Sequence, residues 1–213
     1  MTVETNLARI AKEVSACTKC ALHESRKKAV VGEGPADAEI MFIGEGPGFH
    51  EDEQGRPFVG ASGKFLDQLL AQAGLERMHV FIANVVKCRP PGNRDPKPEE
   101  LDACDEFLEA QIKAINPSII VTLGRFSMGR FIPGVKITSV HGQMRQVGER
   151  FMIPMFHPAA ALHQSALKPS ILADFANLPD QLEEARKVLG RTARPKKEKA
   201  ALQEDKPRQL SLF

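Results

Sequence analysis

The sequence predicts a three-layer α/β sandwich in which helices flank a central four-stranded, mostly parallel sheet. Four short apolar runs, at residues 39–43, 79–86, 118–124 and 151–156, have the length of buried strands rather than of helices. Helical patterns alternate with them, and strands that alternate with helices argue a mostly parallel sheet covered on both faces. The 213 residues, 42% of them hydrophobic, suffice for one domain with a sizeable core, and no internal repeat is evident.

In chain order, residues 5–16 read as a short helix running into Cys17-Thr18-Lys19-Cys20, followed by a polar connection through Gly32, Gly34 and Pro35. The first strand, Glu39 to Ile43, empties into Gly44-Glu45-Gly46-Pro47-Gly48. Glycines there let backbone approach a ligand closely, and Pro47 fixes one dihedral. A helix at about 63–73 carries Phe65, Leu66, Leu69 and Leu70 at helical spacing. The second strand, His79 to Val86, leads into a loop from Cys88 to Pro98 dense in Pro, Gly and Arg. Pro98-Glu99-Glu100 opens a helix to about Ile115, with proline in the first turn and acids after it, and Asn116-Pro117 stops it. The third strand feeds a short helix at 125–131, and residues 135–147 alternate in the manner of an irregular hairpin. The fourth strand ends at His157-Pro158, and residues 170–189 read as a closing helix.

In open α/β sheets, ligands bind beyond the carboxyl ends of the strands. Here those ends present Gly44-Glu45, Asn84, Gly124-Arg125 and His157, so acid, amide, cation and imidazole converge on one edge. A nucleoside triphosphate is not what this edge is built for. The glycine loop matches neither GxxxxGK[ST] nor GxGxxG, and Glu45, Glu51, Asp52 and Glu53 would repel a polyphosphate.

The formal net charge of +2 hides an asymmetry. Residues 191–213 hold seven Lys/Arg against three Asp/Glu, which leaves 22 against 24 for residues 1–190. Nucleic-acid binding by residues 1–190 therefore needs positive charge gathered locally, and Lys87, Arg89, Arg94 and Lys97 form the obvious cluster. The chain has no long apolar stretch for a membrane span and no charged-then-apolar leader, so a cytoplasmic protein under reducing conditions is expected. Four cysteines there are not a disulfide set. Cys17 and Cys20 form a CxxC pair, while Cys88 and Cys104 are split between a loop and the next helix. Four thiolates that meet in space make a zinc or an iron–sulfur site, and the split second pair suits the bulkier cluster better than a zinc ribbon.

Residues 1–190 thus read as one domain and 191–213 as a disordered basic tail, rich in Lys, Arg, Glu, Pro and Ala. The tail closes on apolar Gln209-Leu210-Ser211-Leu212-Phe213. QLSLF resembles the bacterial sliding-clamp-binding motif, which implies recruitment to the replication clamp through Gln209, Leu210, Leu212 and Phe213.

GEGPG at 44–48, ED at 51–52, GRPFVGASG at 55–63, NVVKCRPPGNRDP at 84–96 and HPAAAL at 157–162 follow in order, with the four cysteines at their intervals. Over residues 17 to about 180 this resembles the iron–sulfur, type-4 uracil-DNA glycosylases. The resemblance implies a four-stranded parallel sheet between helices and a 4Fe-4S cluster held by Cys17, Cys20, Cys88 and Cys104. It implies base excision repair: hydrolysis of the N-glycosidic bond of deoxyuridine in DNA, releasing uracil and leaving an abasic site.

Position by position, the resemblance puts Gly44-Glu45-Gly46 against the uracil and the water-attack side of the sugar, with Glu45 and His157 catalytic. Phe58 takes the stacked base, Glu51 crowds its C5 and excludes the thymine methyl, Asn84 reads its edge and His157 meets O2. Asn84 offers both a donor and an acceptor, which suits O4 and N3–H of uracil and mismatches cytosine. Lys87, Arg89 and Arg94 become DNA-contact candidates and Leu162 a candidate wedge. Two departures stand out: position 46 is glycine where some uracil glycosylases carry an aspartate, and His163, Gln164 and Lys168 stand where an arginine is common. A monomer acting on uracil-containing DNA at the nucleoid of a bacterial-type cell is expected. A uracil-DNA crosslinking relative would capture the sugar with a histidine in a basic loop, but RPPGNRDPKPEE contains none. A non-catalytic, metal-stapled DNA-binding module would leave Glu45, Asn84 and His157 converging without a reason.

Overall fold

The structure is a computed structural model and describes residues 2–194. Helix α1 (Val3–Ala16) opens on Thr2, whose side chain accepts the Thr5 N–H as an N-cap, and it buries Ile10 and Val14. One turn, α2 (Leu22–Ser25), precedes the interior strand β1 (Ile40–Gly44), which is buried throughout. Helices α3 (Phe49–Gln54) and α4 (Ala61–Gln72) lead to β2 (Phe81–Asn84). Helix α5 (Pro98–Ile115) crosses over to β3 (Ile119–Leu123), ending on Asn116 in the left-handed region. Then come α6 (Arg125–Phe131), β4 (Arg145–Val147), β5 (Arg150–Met155), α7 (Pro158–His163), α8 (Lys168–Ala176) and α9 (Leu178–Leu189).

The strand order is β2-β1-β3-β5-β4. Four strands are parallel, as expected, and β4 adds a fifth, antiparallel strand on the edge. Successive side chains of a strand face opposite layers. Ile40 and Phe42 pack with Leu66, Leu69, Phe175 and Leu182 from α4, α8 and α9. Met41 and Ile43 pack with Leu108, Ile112 and Ile115 from α5. A third cluster joins α1 to α5 through Ile10, Val14 and Phe107, and it contains the cysteines. No helix among the described residues is long and apolar enough to cross a membrane.

Three local readings need correction. The hairpin is β4–β5, turned at Gly148 with φ +62°, while residues 137–139 form a separate 3₁₀ turn. The second strand is shorter than residues 79–86, because Arg77–His79 form a 3₁₀ turn before it. The closing helix is two helices meeting at Asn177: Pro179 has no N–H to continue the α8 ladder but is acceptable in the first turn of α9. The register pairs Gly44 with Asn84 and Leu123 with Met155, so the parallel strands end together.

Candidate active site

Beyond those ends lies a cleft of about 570 Å³ whose walls include Glu45, Gly46, Glu51, Phe58, Asn84 and His157. Its closeness depends on missing side chains. A Cβ at Gly44 would stand 2.4 Å from Asn84 Oδ1 and 2.7 Å from the Phe58 ring, and one at Gly63 would meet the Phe58 carbonyl oxygen at 2.0 Å. Phe58 itself has φ +51°, an uncommon state for a bulky residue. Glu51 holds that turn from beneath: it is buried, and its Oε1 accepts the Val59 and Gly60 N–H groups, each at 2.8 Å. Arg77 Nη1 donates to the Phe58 carbonyl at 3.1 Å.

Asn84, at the last position of β2, is 1% exposed, and its Oδ1 has no hydrogen-bond partner. A buried acceptor left unpaired is costly and points to an absent donor. His157 caps α7, its Nδ1 accepting the Ala159 N–H at 3.1 Å. The neutral ring therefore carries its proton on Nε2 as a donor. Its ring stacks on Phe58 with centroids 5.4 Å apart and planes 26° from parallel. Burial lowers the His157 pKa to about 4 against a weaker opposing pull from Glu51, so the imidazole is neutral at physiological pH. Glu45 is half-buried in the same cleft. Burial, then the charge of Asp95, raise its pKa above the ordinary glutamate value, while Arg125 pulls the other way. Asp95 and Arg125 are themselves paired at 2.5 Å.

The depressed His157 pKa has a stability consequence. Unfolded chains bind this proton below about 6.5 and the folded protein only below about 4, so falling pH favours unfolding across that window. The contribution is complete above about 6.5, and lowering the pH from 7 to 5 removes about 2 kcal/mol of it. His157→Gln is expected to lose correspondingly less stability over that interval, measured by denaturant titration at the two pH values; equal losses would refute the burial of a neutral imidazole.

The four cysteines lie together between α1, α5 and the loop after β2, lining one cavity. Cys88 and Cys104 are buried, and burial pushes the Cys104 thiol up to about 11 and the Cys88 thiol in the same direction. Donors reach three of the sulfurs: Arg26 Nη1 to Cys88 at 3.2 Å, Lys87 N–H to Cys104 at 3.3 Å and Lys19 N–H to Cys17 at 3.5 Å. Among the described residues no three His, Cys, Asp or Glu are grouped so as to hold a single metal ion; the thiols instead wall a shared space. A set of four thiols with N–H donors turned toward them fits a group ligated by thiolates.

The family model described as the uracil DNA glycosylase superfamily matches residues 31–178, which includes the whole cleft wall. The chain belongs to that superfamily. It is 48% identical over 170 residues to the type-4 uracil-DNA glycosylase of Thermotoga maritima, covering 78% of this chain and 88% of that one. The type-4 enzyme of Archaeoglobus fulgidus is 44% identical over 184 residues, 81% of this chain and 92% of its own. Likeness to the type-5 uracil-DNA glycosylase of Thermus thermophilus is narrower, 37% over 116 residues, 47% of this chain and 52% of that one.

Within this uracil-DNA glycosylase fold, Glu45, Gly46, Glu51, Phe58, Asn84 and His157 surround one space, with Gly44 packed behind Asn84 and Phe58. Arg125 is not part of that wall: it pairs with Asp95, and its charge acts on Glu45. Lys87 is not a DNA contact. It is 1% exposed, and its Nζ donates to the Asn84 carbonyl at 2.9 Å and to Gln111 Oε1 at 2.7 Å. Burial lowers its pKa to about 8. Arg94 stands at the cleft wall but is held by both oxygens of Glu100, at 2.9 and 2.6 Å. Arg89 is half-buried beside it, Lys97 lies exposed with Glu99 at 3.9 Å, and Leu162 projects from α7 with 51% exposure. Gln209, Leu210, Leu212 and Phe213 lie outside the described residues. Sequence reasoning missed Ser62, Asp95 and His163 as cleft residues. Ser62 and Asp95 sit inside quoted motifs, which was the available signal.

Proposed function

We propose that this cleft excises uracil from DNA, hydrolysing the N-glycosidic bond of deoxyuridine in base excision repair. The observation that carries the reading is the orphaned Asn84 Oδ1, which shares the cleft with a neutral His157 whose Nε2–H is free of its own cap. Uracil extruded from the stack costs roughly a few kcal/mol, and stacking on Phe58 returns about 1 to 3 kcal/mol. Asn84 Oδ1 then accepts N3–H of uracil and its amide donates to O4. Cytosine inverts that pattern and would leave buried groups unpaired. Glu51 crowds C5 on the side that a thymine methyl would need.

As the bond lengthens, negative charge grows on the base and positive charge on the sugar. The His157 Nε2–H and the amides near Gly46 stabilise the anionic uracil, and ionised Glu45 favours the cationic sugar and orients the attacking water. His157 needs no proton from solvent for this, since it acts as a neutral donor. Cys17, Cys20, Cys88 and Cys104 would hold a 4Fe-4S cluster, whose contribution when bound is to cross-link the N-terminal segment to the loop after β2. The sliding clamp is proposed as a partner through the last five residues, which a pull-down with and without them would test. The chain would act where the DNA is, as a monomer.

The test uses two labelled oligonucleotides differing by one uracil for thymine, followed by alkali. A cut uracil strand with an intact thymine strand is expected; a covalent protein–DNA adduct would point instead to crosslinking, and no product from brown protein would overturn the reading. Cys88→Ser is expected to lose the brown colour and to make residues 88–98 more open to protease. Full stability and full DNA affinity in that variant would count against the clamp role of the four thiols.

A further inference from the structure

Phe49, the first residue of α3, is 50% exposed and is the exposed phenylalanine among the described residues. Its neighbour Gly48 lines the cleft, and Pro90 and Asn93 of the facing loop line it too, so Phe49 stands on the rim where two loops meet. The Arg89 guanidinium lies 5.3 Å from the ring centroid, and Lys27 Nζ lies 5.8 Å from it. His50 meets the ring edge-on at 5.4 Å. Lys27 is paired with Glu53 and Arg94 with Glu100, whereas Arg89 donates to Asn93 Oδ1 and has no carboxylate partner among the described residues.

Phe49 is also rigidly presented. Two other residues of this short helix are buried anchors: Glu51 accepts the Val59 and Gly60 amides, and Asp52 accepts the Lys27 amide at 2.9 Å. An exposed ring costs free energy in water unless something covers it, and cations gathered round it select an anionic, π-faced occupant. Nucleobases on a phosphate backbone are that occupant. We propose that Phe49, flanked by Arg89 and Lys27, is a stacking platform for an unpaired nucleobase beside the extruded uracil. Arg89 meets the adjoining phosphate. The proposal rests on the glycosylase reading, since it takes the cleft as the place where the uracil goes.

Phe49→Ala is expected to raise KM for uracil in a single-stranded oligonucleotide about tenfold. Replacing the base on one side of the uracil, then the other, by an abasic analogue should raise the parent KM comparably on the stacked side and leave the variant KM unmoved. A merely structural role would not produce that non-additivity. The chain contains no Trp, so Phe49→Trp installs a single indole as reporter and should retain the parent KM. Its emission should be quenched by the uracil oligonucleotide and not by the version with the flanking base removed. Equal losses in parent and Phe49→Ala, or quenching indifferent to the flanking base, would overturn the platform. A parent that binds the oligonucleotide, with quenching in Phe49→Trp, but releases no uracil would instead overturn the glycosylase reading.

Discussion

Asn84→Leu is expected to slow uracil release by about 10²–10³ in kcat/KM and, in the same protein, to raise the melting temperature. The two effects have one origin. Asn84 Oδ1 is buried with no partner, and with the Phe58 ring it fills the space that a side chain on Gly44 would need. An unsatisfied buried acceptor costs about 1–3 kcal/mol, and an apolar side chain of similar shape removes that cost. At this chain length each kcal/mol corresponds to roughly 2–4 °C. The same change deletes the groups proposed to read N3–H and O4, a loss on the order of 10²–10³ in kcat/KM by comparison with other single donors to a developing charge. Calorimetry and the oligonucleotide assay on one preparation test both signs. A variant that melts lower and still excises uracil at the parent rate would show that the amide is a structural cap.

Functional sites are where stability and activity part, and they are also where the sequence was only partly readable. The parallel strands were legible because each is a mostly apolar run buried on both faces; β4, three exposed residues, had no such signature. Gly44, Asn84 and His157 were legible because strand ends in a parallel sheet share an edge. Lys87 was misread because a lysine beside Cys88 and Arg89 looks like surface charge. Besides the Asn84 carbonyl its acceptor is Gln111, 24 residues further on, and only the docking of α5 brings the two together. The left-handed Phe58 was invisible for the opposite reason: the residue type argues against that backbone state, and the buried Glu51 carboxylate overrules it.

Glu45 should set the acid limb of the rate profile. In the proposed reaction the carboxylate must be ionised to face a developing sugar cation, so kcat falls as pH falls through its pKa. Burial and Asp95 raise that pKa above the ordinary glutamate value of 4.5, whereas His157 does not take up its proton until about 4. The limb above 4.5 therefore belongs to Glu45. Glu45→Gln is expected to lower kcat near neutral pH by about 10²–10³ and to remove the limb. The neighbours supply a sign test that simple loss of activity does not. Asp95→Asn deletes a negative charge and should move the limb to lower pH. Arg125→Ala deletes the opposing positive charge and should move it to higher pH, even though the two side chains are partners in one ion pair. If both substitutions shifted the limb the same way, the cause would be disruption of the 88–98 loop, and the acid limb would belong to a group other than Glu45.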